Sequence, residues 1–580
     1  MAAIEIFKQN LCNHLIAIGL DPSFISIEKP KNLAHGDLAL PVFKYAASLK
    51  KPPVQVSEEL SNELTKNLPE GFSEVNQIGP FLNFRIDRAS FAKAVLNSKE
   101  NFDQTQKKVL IDYSSPNIAK PFHVGHLRAT LLGHALENIY KFFGYEVVTI
   151  NHLGDYGTQF GFVYAGCKIW GEPESFSVEG LVDLYRKATT LKANQESNTL
   201  TDEEKVLPDC NQIARSYFVD LENGVSYAKD FWQRCLDSSL EYFKASYKRL
   251  GIEFDHYLGE SFYSDKLPGV IANLRASGIL TESNGALGID FTKEPETEQL
   301  GFARIATEDG RSLYLTRDIA TAIYRDDRFK PEKSLYVVGA PQTLHFNQLI
   351  GIFKKLGSDL ANRINHIPFG IVQGMKTRGS GEFIELNSLL DESHARALAA
   401  YQELVGDKKS EEVIPTNEVD KIADSVGKAA LIFNLLSKAR NKDVSFSWDE
   451  ALQFSGDTGP YILYAVARIE SVKNRANESF NLQNIEIDYS NFTDDSSFQL
   501  LTELDRFSSV INTCIADNDP YYLANYALDL SKTFSAAYNK LRVMGEAENV
   551  AASRIALFSK VQIILTQSLQ LLGIEAVKRM

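Results

Sequence analysis

The stretch VLIDYSSPNIAKPFHVGHLRAT, residues 109–130, decides the fold of this chain. Its first five residues form a short apolar run that predicts a buried strand, and apolar side chains recur at helical spacing from His123 onward. The run EVVTIN, residues 146–151, follows this helix after Gly144 and predicts the next strand. A strand, a loop, a helix and a second strand in this order predict a β-α-β unit, which is typical of a parallel sheet.

The loop between the predicted strand and helix carries residues suited to phosphate chemistry. His123 and His126 are three positions apart, so they share one face of the first helical turn. The free N–H groups and partial positive charge of a helix N-terminus favour phosphate, and Gly125 leaves room for a flat ring near the backbone. With Lys120, the two imidazoles are suited to stabilise negative charge on a triphosphate attacked at its α-phosphorus. Metal ligation or chance spacing is the alternative interpretation, which the preceding strand and Ser-Ser-Pro-Asn loop disfavour.

A glycine-rich, cationic segment, GIVQGMKTRGSG at residues 370–381, follows another predicted strand, HIPFGIV at 366–372. Lys376 and Arg378 supply positive charge, and the glycines supply backbone freedom. Such a loop is able to close over a departing pyrophosphate. An ordinary solvated hairpin loop is the alternative interpretation, and the segment by itself does not decide between the two.

Two acidic residues stand at the ends of predicted elements. Asp112 closes the first strand, and Asp318 lies near the start of a helix in YLTRD, residues 314–318. A buried carboxylate can hold a guanidinium group through two parallel hydrogen bonds, which makes both residues candidate ligands for such a group. A turn at the strand end and helix capping are the competing interpretations, and the residues alone leave the choice open.

The patterns outside this region predict a small first domain and a helical last one. The first hundred residues combine a helix near 4–18 with a strand over 76–86, and a polar linker follows at 97–108. Residues 334–338, SLYVV, predict a further buried strand. From Val419 onward helical patterns dominate. The clearest of them cover 423–436, 458–472, 521–537 and 555–572.

Length, charge and cysteine usage restrict the class of protein. A chain of 580 residues exceeds one hydrophobic core, so several domains are expected. The net charge of −14 argues against a general nucleic-acid binder, and any contact with RNA must use local basic patches. Five cysteines without a Cys-x-x-Cys pair argue against a zinc ribbon or a disulfide scaffold and favour a reducing cytoplasm. No apolar run approaches the roughly 20 residues of a membrane helix, and the N-terminus does not resemble a secretory signal.

Taken together, these motifs resemble one family. HVGH at 123–126 resembles the HIGH signature of class I aminoacyl-tRNA synthetases. With SSPNIAKPFHVGHLRAT, the segments that resemble arginyl-tRNA synthetases in particular are NHLGDYGTQFG at 151–161, LYLTRD at 313–318, FGIVQGM at 369–375 and TGPY at 458–461. The resemblance spans almost the whole chain and includes the terminal VKRM. Cysteinyl and methionyl relatives bring zinc-type cysteine clusters, which this sequence lacks.

The resemblance implies a fold and a reaction. The expected fold is an α/β Rossmann-like parallel-sheet catalytic domain with an α+β N-terminal domain and an all-α C-terminal anticodon-binding domain. The expected boundaries are 1–106 for the N-terminal tRNA-contacting domain, 107–392 for the catalytic domain with an insertion near 165–300, 393–457 for a helical connector and 458–580 for the anticodon-binding domain. The expected reaction is ATP-dependent activation of L-arginine to arginyl-adenylate, followed by transfer to the 3′ end of the cognate tRNA.

The resemblance also assigns residues. Catalysis is implied for His123, His126 and Lys120, ATP binding for His123, Gly125, His126, Met375, Lys376 and Arg378, and arginine binding for Asp112, Asn117, Tyr314, Asp318 and Gln342. Asp112 stands where some members carry Glu. The loop departs from the family's Lys-Met-Ser-Lys-Ser pattern, because Thr377 occupies the second lysine position. Lys120 matches the lysine that compensates for this loss in many members, whereas the participation of Lys376 or Arg378 stays open.

The implied ligands are ATP with Mg²⁺, L-arginine and tRNA(Arg), without structural zinc and without a membrane, and the expected state is a cytoplasmic monomer. A nucleotidyltransferase of the same fold, which needs no RNA, is a second hypothesis; such enzymes are usually much shorter and lack a helical C-terminal module. A non-catalytic RNA-binding paralogue is a third, and it would be expected to lose the HIGH histidines or the substrate carboxylates. Exchange of pyrophosphate into ATP separates this paralogue from the enzymes.

Overall fold

In the computed structural model of the chain, the first hundred residues fold into a small α+β domain. The structure describes residues 2–98, 105–120, 122–174, 176–283, 285–307, 313–373, 385–406, 416–480 and 485–580. The elements of this domain are α1 (Ala3–Ala17), β1 (Leu38–Pro41), α2 (Phe43–Leu49), α3 (Pro53–Leu64), β2 (Phe72–Ile78), β3 (Phe81–Ile86) and α4 (Arg88–Asn97). The strands form an antiparallel sheet in the order β1-β3-β2.

One sequence prediction in this domain is wrong. A single strand was expected over 76–86, whereas the structure has a hairpin of β2 and β3. The turn between them contains Gly79 at a φ of +57°. Glycine adopts this left-handed conformation without steric cost, so the chain can reverse direction at this point.

A five-stranded parallel sheet forms the centre of the chain. The elements of this region are β4 (Lys108–Asp112), α5 (Val124–Phe142), β5 (Glu146–Asn151), α6 (Gln159–Trp170), α7 (Val178–Ser197), α8 (Cys210–Glu222), α9 (Ser226–Leu250), β6 (His256–Tyr257), α10 (Leu267–Ala276), β7 (Thr281–Ser283), β8 (Ala286–Asp290), β9 (Phe302–Thr307), α11 (Tyr314–Phe329), β10 (Lys333–Gly339), α12 (Thr343–Lys355), α13 (Leu360–Arg363), β11 (Ile364–Phe369) and β12 (Val372–Gln373). The strand order is β11-β10-β4-β5-β6, with every pair parallel. The predicted β-α-β unit is confirmed as β4, α5 and β5.

The order of the strands shows where a ligand is expected to bind. The chain leaves β4 towards β5 on one side of the sheet, and β10 pairs with β4 on the other side. The sheet therefore has a switch point between β4 and β10, and ligands of such sheets bind there, at the carboxyl ends of the strands. Two insertions border this edge: α6 to α9 lie between β5 and β6, and the antiparallel sheet β7-β8-β9 lies between β6 and β10.

The last part of the chain is helical. Its elements are α14 (Leu386–Gly406), α15 (Thr416–Leu436), β13 (Val444–Ser445), α16 (Trp448–Ala451), α17 (Gly459–Ser479), α18 (Asp495–Asp505), α19 (Phe507–Asp517), α20 (Tyr521–Tyr538) and α21 (Glu548–Leu571). The four helices predicted from sequence in this region are confirmed as α15, α17, α20 and α21. The predicted combination of an α+β, an α/β and an all-α domain is confirmed as well. Among the helices that the structure describes, none is long and apolar enough to cross a membrane.

Helix α5 lies between the parallel sheet and the helical last part of the chain. It packs against β4, β5 and β10 of the sheet and against α15, α19 and α21 of the helical part. Arg128 on α5 is fully buried, and its Nη1 donates to the carbonyl oxygens of Gly370 and Lys442 at 2.5 and 2.6 Å. Burial lowers the pKa of this guanidinium to about 10. Because Gly370 lies just before β12 and Lys442 just before β13, one side chain fixes α5 against both segments.

Candidate active site

The loop between β4 and α5 has a constrained backbone at the carboxyl edge of the sheet. Ser114, Ser115 and Ala119 have positive φ angles of 73°, 49° and 54°, which cost free energy for residues that carry a side chain. Buried hydrogen bonds offset this cost: the hydroxyl groups of Ser114 and Tyr247 lie 2.7 Å apart, and the Ala119 N–H donates to Ser239 Oγ at 3.1 Å. Helix α9 therefore braces the loop and fixes the residues that follow it.

The two histidines predicted from sequence lie together at the start of α5. Their ring centroids are 4.0 Å apart. The Gly125 N–H donates to His123 Nδ1 at 3.0 Å, and the His123 N–H donates to His126 Nδ1 at 3.4 Å. Burial, and next the neighbouring His123, lower the pKa of His126 to about 3, while burial and then Lys120 lower the pKa of His123. Both rings are therefore neutral at pH 7, and because each Nδ1 accepts a hydrogen bond, each ring carries its proton on Nε2 as a donor.

Lys120 supplies the positive charge that the neutral imidazoles lack. Its ammonium group lies 5.8 Å from the centre of the Tyr185 ring on α7, within the range of a cation–π contact. It is near enough to His123 and His126 to lower the pKa of both. The structure thus brings the three predicted catalytic residues together at the N-terminus of α5, whose free amide groups also attract anions.

The predicted glycine-rich loop is described only at its flanks, since Met375, Lys376 and Arg378 lie outside the described residues. Before the loop, the carbonyl of Gly370 accepts from Arg128 of α5. After the loop, Glu385 forms an antiparallel bridge with His123, and the N–H of the following residue, Leu386, donates to the Phe122 carbonyl at 2.8 Å. Both flanks are therefore anchored beside the start of α5.

The predicted arginine-binding residues occupy the same edge of the sheet. Tyr314 is the first residue of α11 and is 73% exposed, and Asp318 lies one turn further along that helix. Gln342 is exposed in the short turn that joins β10 to α12. Asp112 and Asp318 both raise the pKa of the buried Tyr336 on β10, although burial is the larger cause, so both carboxylates lie near this strand.

Asp112 already holds a guanidinium group of its own chain. Arg325 of α11 donates from Nη1 to Asp112 Oδ2 at 2.7 Å, and both side chains are almost completely buried. Ser115 Oγ donates to the other carboxylate oxygen at 3.1 Å. Burial opposes the charge of Arg325, but the carboxylate of Asp112 raises the pKa of this guanidinium well above its usual value, so Arg325 stays charged. The carboxylate has remaining lone pairs for a ligand, but it is not free to form a fork with a second guanidinium.

Asn117 is placed by close contact with the segment after β5. Asn117 and Gly154 form a parallel bridge, and the Ile118 N–H donates to the Gly154 carbonyl at 3.1 Å. A Cβ atom at Gly154 would lie 2.1 Å from Asn117 Oδ1. This explains physically why the NHLGDYG segment has glycine at this position, because any side chain there would displace the amide of Asn117.

Glu260 is a candidate residue that sequence patterns missed. Burial raises its pKa to about 7; Arg317 opposes the shift, whereas Asp318 and Asp155 add to it. Arg317 Nη1 lies 3.4 Å from Glu260 Oε2, and its guanidinium lies 4.2 Å from the centre of the Tyr156 ring. A carboxylate with a perturbed pKa beside a predicted ligand is typical of a functional site. The available signal was its position shortly after a strand, with two residues between it and the end of β6 at Tyr257, but that strand has only two residues.

Comparison with known proteins shows the family to which the chain belongs. Three family models match the chain: "tRNA synthetases class I (R), catalytic domain" over residues 91–448, "DALR anticodon binding domain" over 462–580 and "Arginyl tRNA synthetase N terminal domain" over 4–86. The first of them alone covers more than half of the chain. The three matches follow one another in the same order as the α+β, parallel-sheet and helical parts of the fold.

Similar proteins span nearly the whole length. The arginine–tRNA ligase of Halothermothrix orenii is 36% identical over 96% of this chain and 95% of its own, and that of Clostridioides difficile is 37% identical over the same shares. The solved structure of Thermus thermophilus arginyl-tRNA synthetase has the same fold, with a TM-score of 0.78 at 24% identity over 99% of this chain and all of that one. The chain therefore belongs to the arginyl-tRNA synthetases, a family of the class I aminoacyl-tRNA synthetases.

Proposed function

We propose that this chain is an arginine–tRNA ligase, which activates L-arginine with ATP and transfers the arginyl group to the 3′ end of tRNA(Arg). The observation that carries the proposal is the meeting of two unlike sites at one sheet edge. A helix start with His123 and His126 follows the loop after β4, and a group of carboxylates that includes Asp112 and Asp318 lies at the carboxyl end of β4 and near Tyr336 of β10. The first suits a triphosphate, and the second suits a cationic amino acid.

The ATP end is assigned to the start of α5. His123, Gly125 and His126 contact the nucleotide, and the Nε2–H groups of both imidazoles donate to phosphate oxygens. Lys120 adds the positive charge that favours the developing negative charge. Mg²⁺ enters with the triphosphate, because this ion is bound largely through phosphate oxygens and water. We assign the segment with Met375, Lys376 and Arg378 to binding of the departing pyrophosphate. The support for this assignment is that the residues on both sides of the segment lie beside the start of α5.

The chemical step follows from this placement. An oxygen of the arginine carboxylate attacks the α-phosphorus of ATP, the bond from that phosphorus to the bridging oxygen breaks, and pyrophosphate leaves with the electron pair. Lys120 and His126 stabilise the charge on the phosphate oxygens during the attack. In the second reaction, a ribose hydroxyl oxygen of the terminal tRNA adenosine attacks the carbonyl carbon of the arginyl group and loses its proton. The bond from that carbon to the phosphate oxygen breaks, and AMP leaves with the electron pair.

The arginine end is assigned to the carboxyl edge of β4, β5 and β10. Asp318 and Glu260 bind the substrate guanidinium, whereas Asp112, which is committed to Arg325, offers its remaining lone pair to the α-ammonium group. Asn117, Tyr314 and Gln342 complete the site. A planar guanidinium presents five donors and lysine presents a point charge, so a site built for the fork leaves polar groups unpaired when lysine binds. Such a mismatch discriminates by about 10⁴ or more, so no separate editing site is needed.

The remaining parts of the chain are assigned to tRNA. Residues 1–106 contact the corner of the RNA, 107–392 form the catalytic domain with its insertion near 165–300, 393–457 form a helical connector, and 458–580 read the anticodon. We further propose a cytoplasmic monomer. The family membership and the domain order support these assignments.

Attachment of labelled arginine to bulk tRNA, with ATP and magnesium and with labelled lysine as control, tests the proposal. Charging with arginine alone is the expected result. Exchange of pyrophosphate into ATP, but no transfer to tRNA, would instead favour a nucleotidyltransferase. Failure of both reactions with every amino acid, in the presence of tRNA, would favour the non-catalytic paralogue.

A further inference from the structure

The carboxylate of Asp318 is engaged by a side chain that none of the assignments above uses. Nε2 of His345, in the first turn of α12, lies 2.5 Å from Asp318 Oδ2. The two side chains are 25% and 31% exposed, so the pair lies at the open face of the site. The contact with His345 takes one lone pair of Oδ2, so Oδ1 and the second lone pair of Oδ2 are left for a ligand. In a carboxylate, fixing one oxygen also fixes the plane of the group.

The position of His345 is set by packing. The next residue, Phe346, is buried and stacks on His366 of β11, with ring centroids 4.5 Å apart and an angle of 8° between the planes. A ring nitrogen of His366, Nε2, lies 3.0 Å from the Val338 carbonyl oxygen on β10. The first turn of α12 therefore rests on two strands of the central sheet. The imidazole is presented to Asp318 by a rigid element, which is the usual requirement for a precise site.

We infer that His345 is a specificity-determining positioning residue, which holds the carboxylate of Asp318 in the plane that a guanidinium requires. The inference rests on the proposed role of Asp318 as an arginine ligand. A guanidinium forms two parallel hydrogen bonds only when the carboxylate lies in its own plane, whereas an ammonium group accepts many orientations. A carboxylate that is free to rotate therefore loses more affinity for arginine than for lysine.

His345→Ala in the full-length protein is expected to raise the KM for arginine about 10-fold, to change kcat less than about threefold and to leave the KM for ATP unchanged. The ratio of kcat/KM for arginine over lysine is expected to fall. His345→Gln places an amide N–H close to the position of Nε2 and is expected to restore most of the loss. Leu344→Ala, at an exposed neighbouring position in the same turn, is the matched control and is expected to behave as the wild type.

A double-mutant cycle with Asp318→Asn separates positioning from general packing. If His345 acts through Asp318, the double variant has about the arginine KM of Asp318→Asn alone, since the two changes are not independent. Multiplication of the two separate effects overturns the inference, and so does an unchanged arginine KM in His345→Ala when Asp318→Asn raises it. An unchanged arginine KM in Asp318→Asn would overturn the proposed arginine site itself, and the inference with it. If His345→Ala does not fold, His345→Asn, whose amide is too short to reach, takes its place.

Discussion

The two ends of the site differ in how the chain builds them. Among the residues that the structure describes, the proposed ATP end comes from one segment, 120–126, in which a lysine, two histidines and a helix start follow one another. The arginine end comes from four elements that are far apart in sequence, and each of its carboxylates has a partner: Asp112 with Arg325, Glu260 with Arg317, and Asp318 with His345. In this described segment the proposed ATP end thus uses neutral donors and Lys120, whereas each carboxylate of the proposed arginine end has a cationic or hydrogen-bonding partner.

This difference has a physical cause. Several carboxylates in one low-dielectric pocket cannot all stay ionised unless cations or donors compensate them. The two arginine partners differ in their distance from the carboxylate. The buried Arg325 lies 2.7 Å from Asp112, whereas Arg317 lies 3.4 Å from Glu260. The raised pKa of Glu260, about 7, shows that its compensation is incomplete. In the proposed site, the substrate guanidinium is assigned to supply this missing charge.

The buried pair at the arginine end is expected to give the largest effect on folding. Arg325→Met removes one partner of a buried ion pair and leaves Asp112 without its counter-charge, which typically costs about 3–5 kcal/mol. The double variant Arg325→Met/Asp112→Asn leaves no unpaired charge and is expected to recover a substantial part of this loss. Denaturant-induced unfolding of both variants measures the effect. Equal free energies of unfolding for the single and the double variant would contradict a compensated pair.

At the ATP end, His126→Ala is expected to lower the rate of arginine-dependent pyrophosphate exchange by about 10²–10³-fold, because it removes a preorganised donor to the phosphates. The KM for arginine is expected to stay nearly constant, which separates this end from the other. His126→Gln retains an N–H near the position of Nε2 and serves as the matched control, with a smaller loss. A near wild-type rate in His126→Ala would remove the residue from the proposed site.

Substitution of Asp318 is expected to change mainly the KM for arginine, in contrast to His126→Ala, which is expected to change mainly the rate of exchange. Asp318→Ala removes charged hydrogen bonds to the substrate, which are worth about 1.5–3 kcal/mol each, so the KM for arginine is expected to rise roughly 10–100-fold. The KM for ATP is expected to remain as in the wild type, since Asp318 is assigned to the substrate guanidinium and not to the nucleotide. Steady-state charging with either substrate varied measures both constants. An unchanged arginine KM with intact catalysis would contradict the assignment.

The contrast between the ends also explains what could be predicted from the sequence. The ATP end and the β-α-β unit were predictable because strand, loop, histidines and helix are consecutive, and the buried strand β4 is a continuous apolar run. Asp112 and Asp318 were found at the ends of elements, but Arg325 lies 213 positions from Asp112 in sequence, and no local pattern connects them. Glu260 follows a strand of two residues, which is too short for any periodicity.

The hairpin over 76–86 also depends on a contact that a local sequence pattern does not show. Its two strands are separated only by Gly79 and Pro80, so the pattern predicts a single strand. The pairing that divides them is between strands and is not local. Sequence patterns thus located the elements and residues near their ends, while contacts between distant elements decided which partner each carboxylate has.

The smallest expected effect is a pH dependence that only the arginine end should show. Because the pKa of Glu260 is raised to about 7 in the folded protein, its ionised fraction rises from about one tenth at pH 6 to about nine tenths at pH 8. A guanidinium binds the ionised form, so the apparent KM for arginine is expected to fall by up to about 10-fold over this range. Glu260→Gln is expected to remove this dependence, and steady-state charging at fixed ATP measures it.

The same carboxyl group links pH to stability. Its folded pKa lies above the usual value of about 4.3 for an unfolded chain, so the folded state binds more protons between the two values. Its contribution to the free energy of unfolding is then fully present below about pH 4 and is lost as the pH rises through 7. His126 has the opposite sign, because its pKa is lowered to about 3, and it destabilises the fold as the pH falls from about 6.5 towards 3. The free energy of unfolding of Glu260→Gln and of the wild type, each measured at pH 5 and pH 7.5, tests this assignment. If the free energy changes equally with pH in both proteins, Glu260 is not the incompletely compensated carboxylate that distinguishes the arginine end from the ATP end.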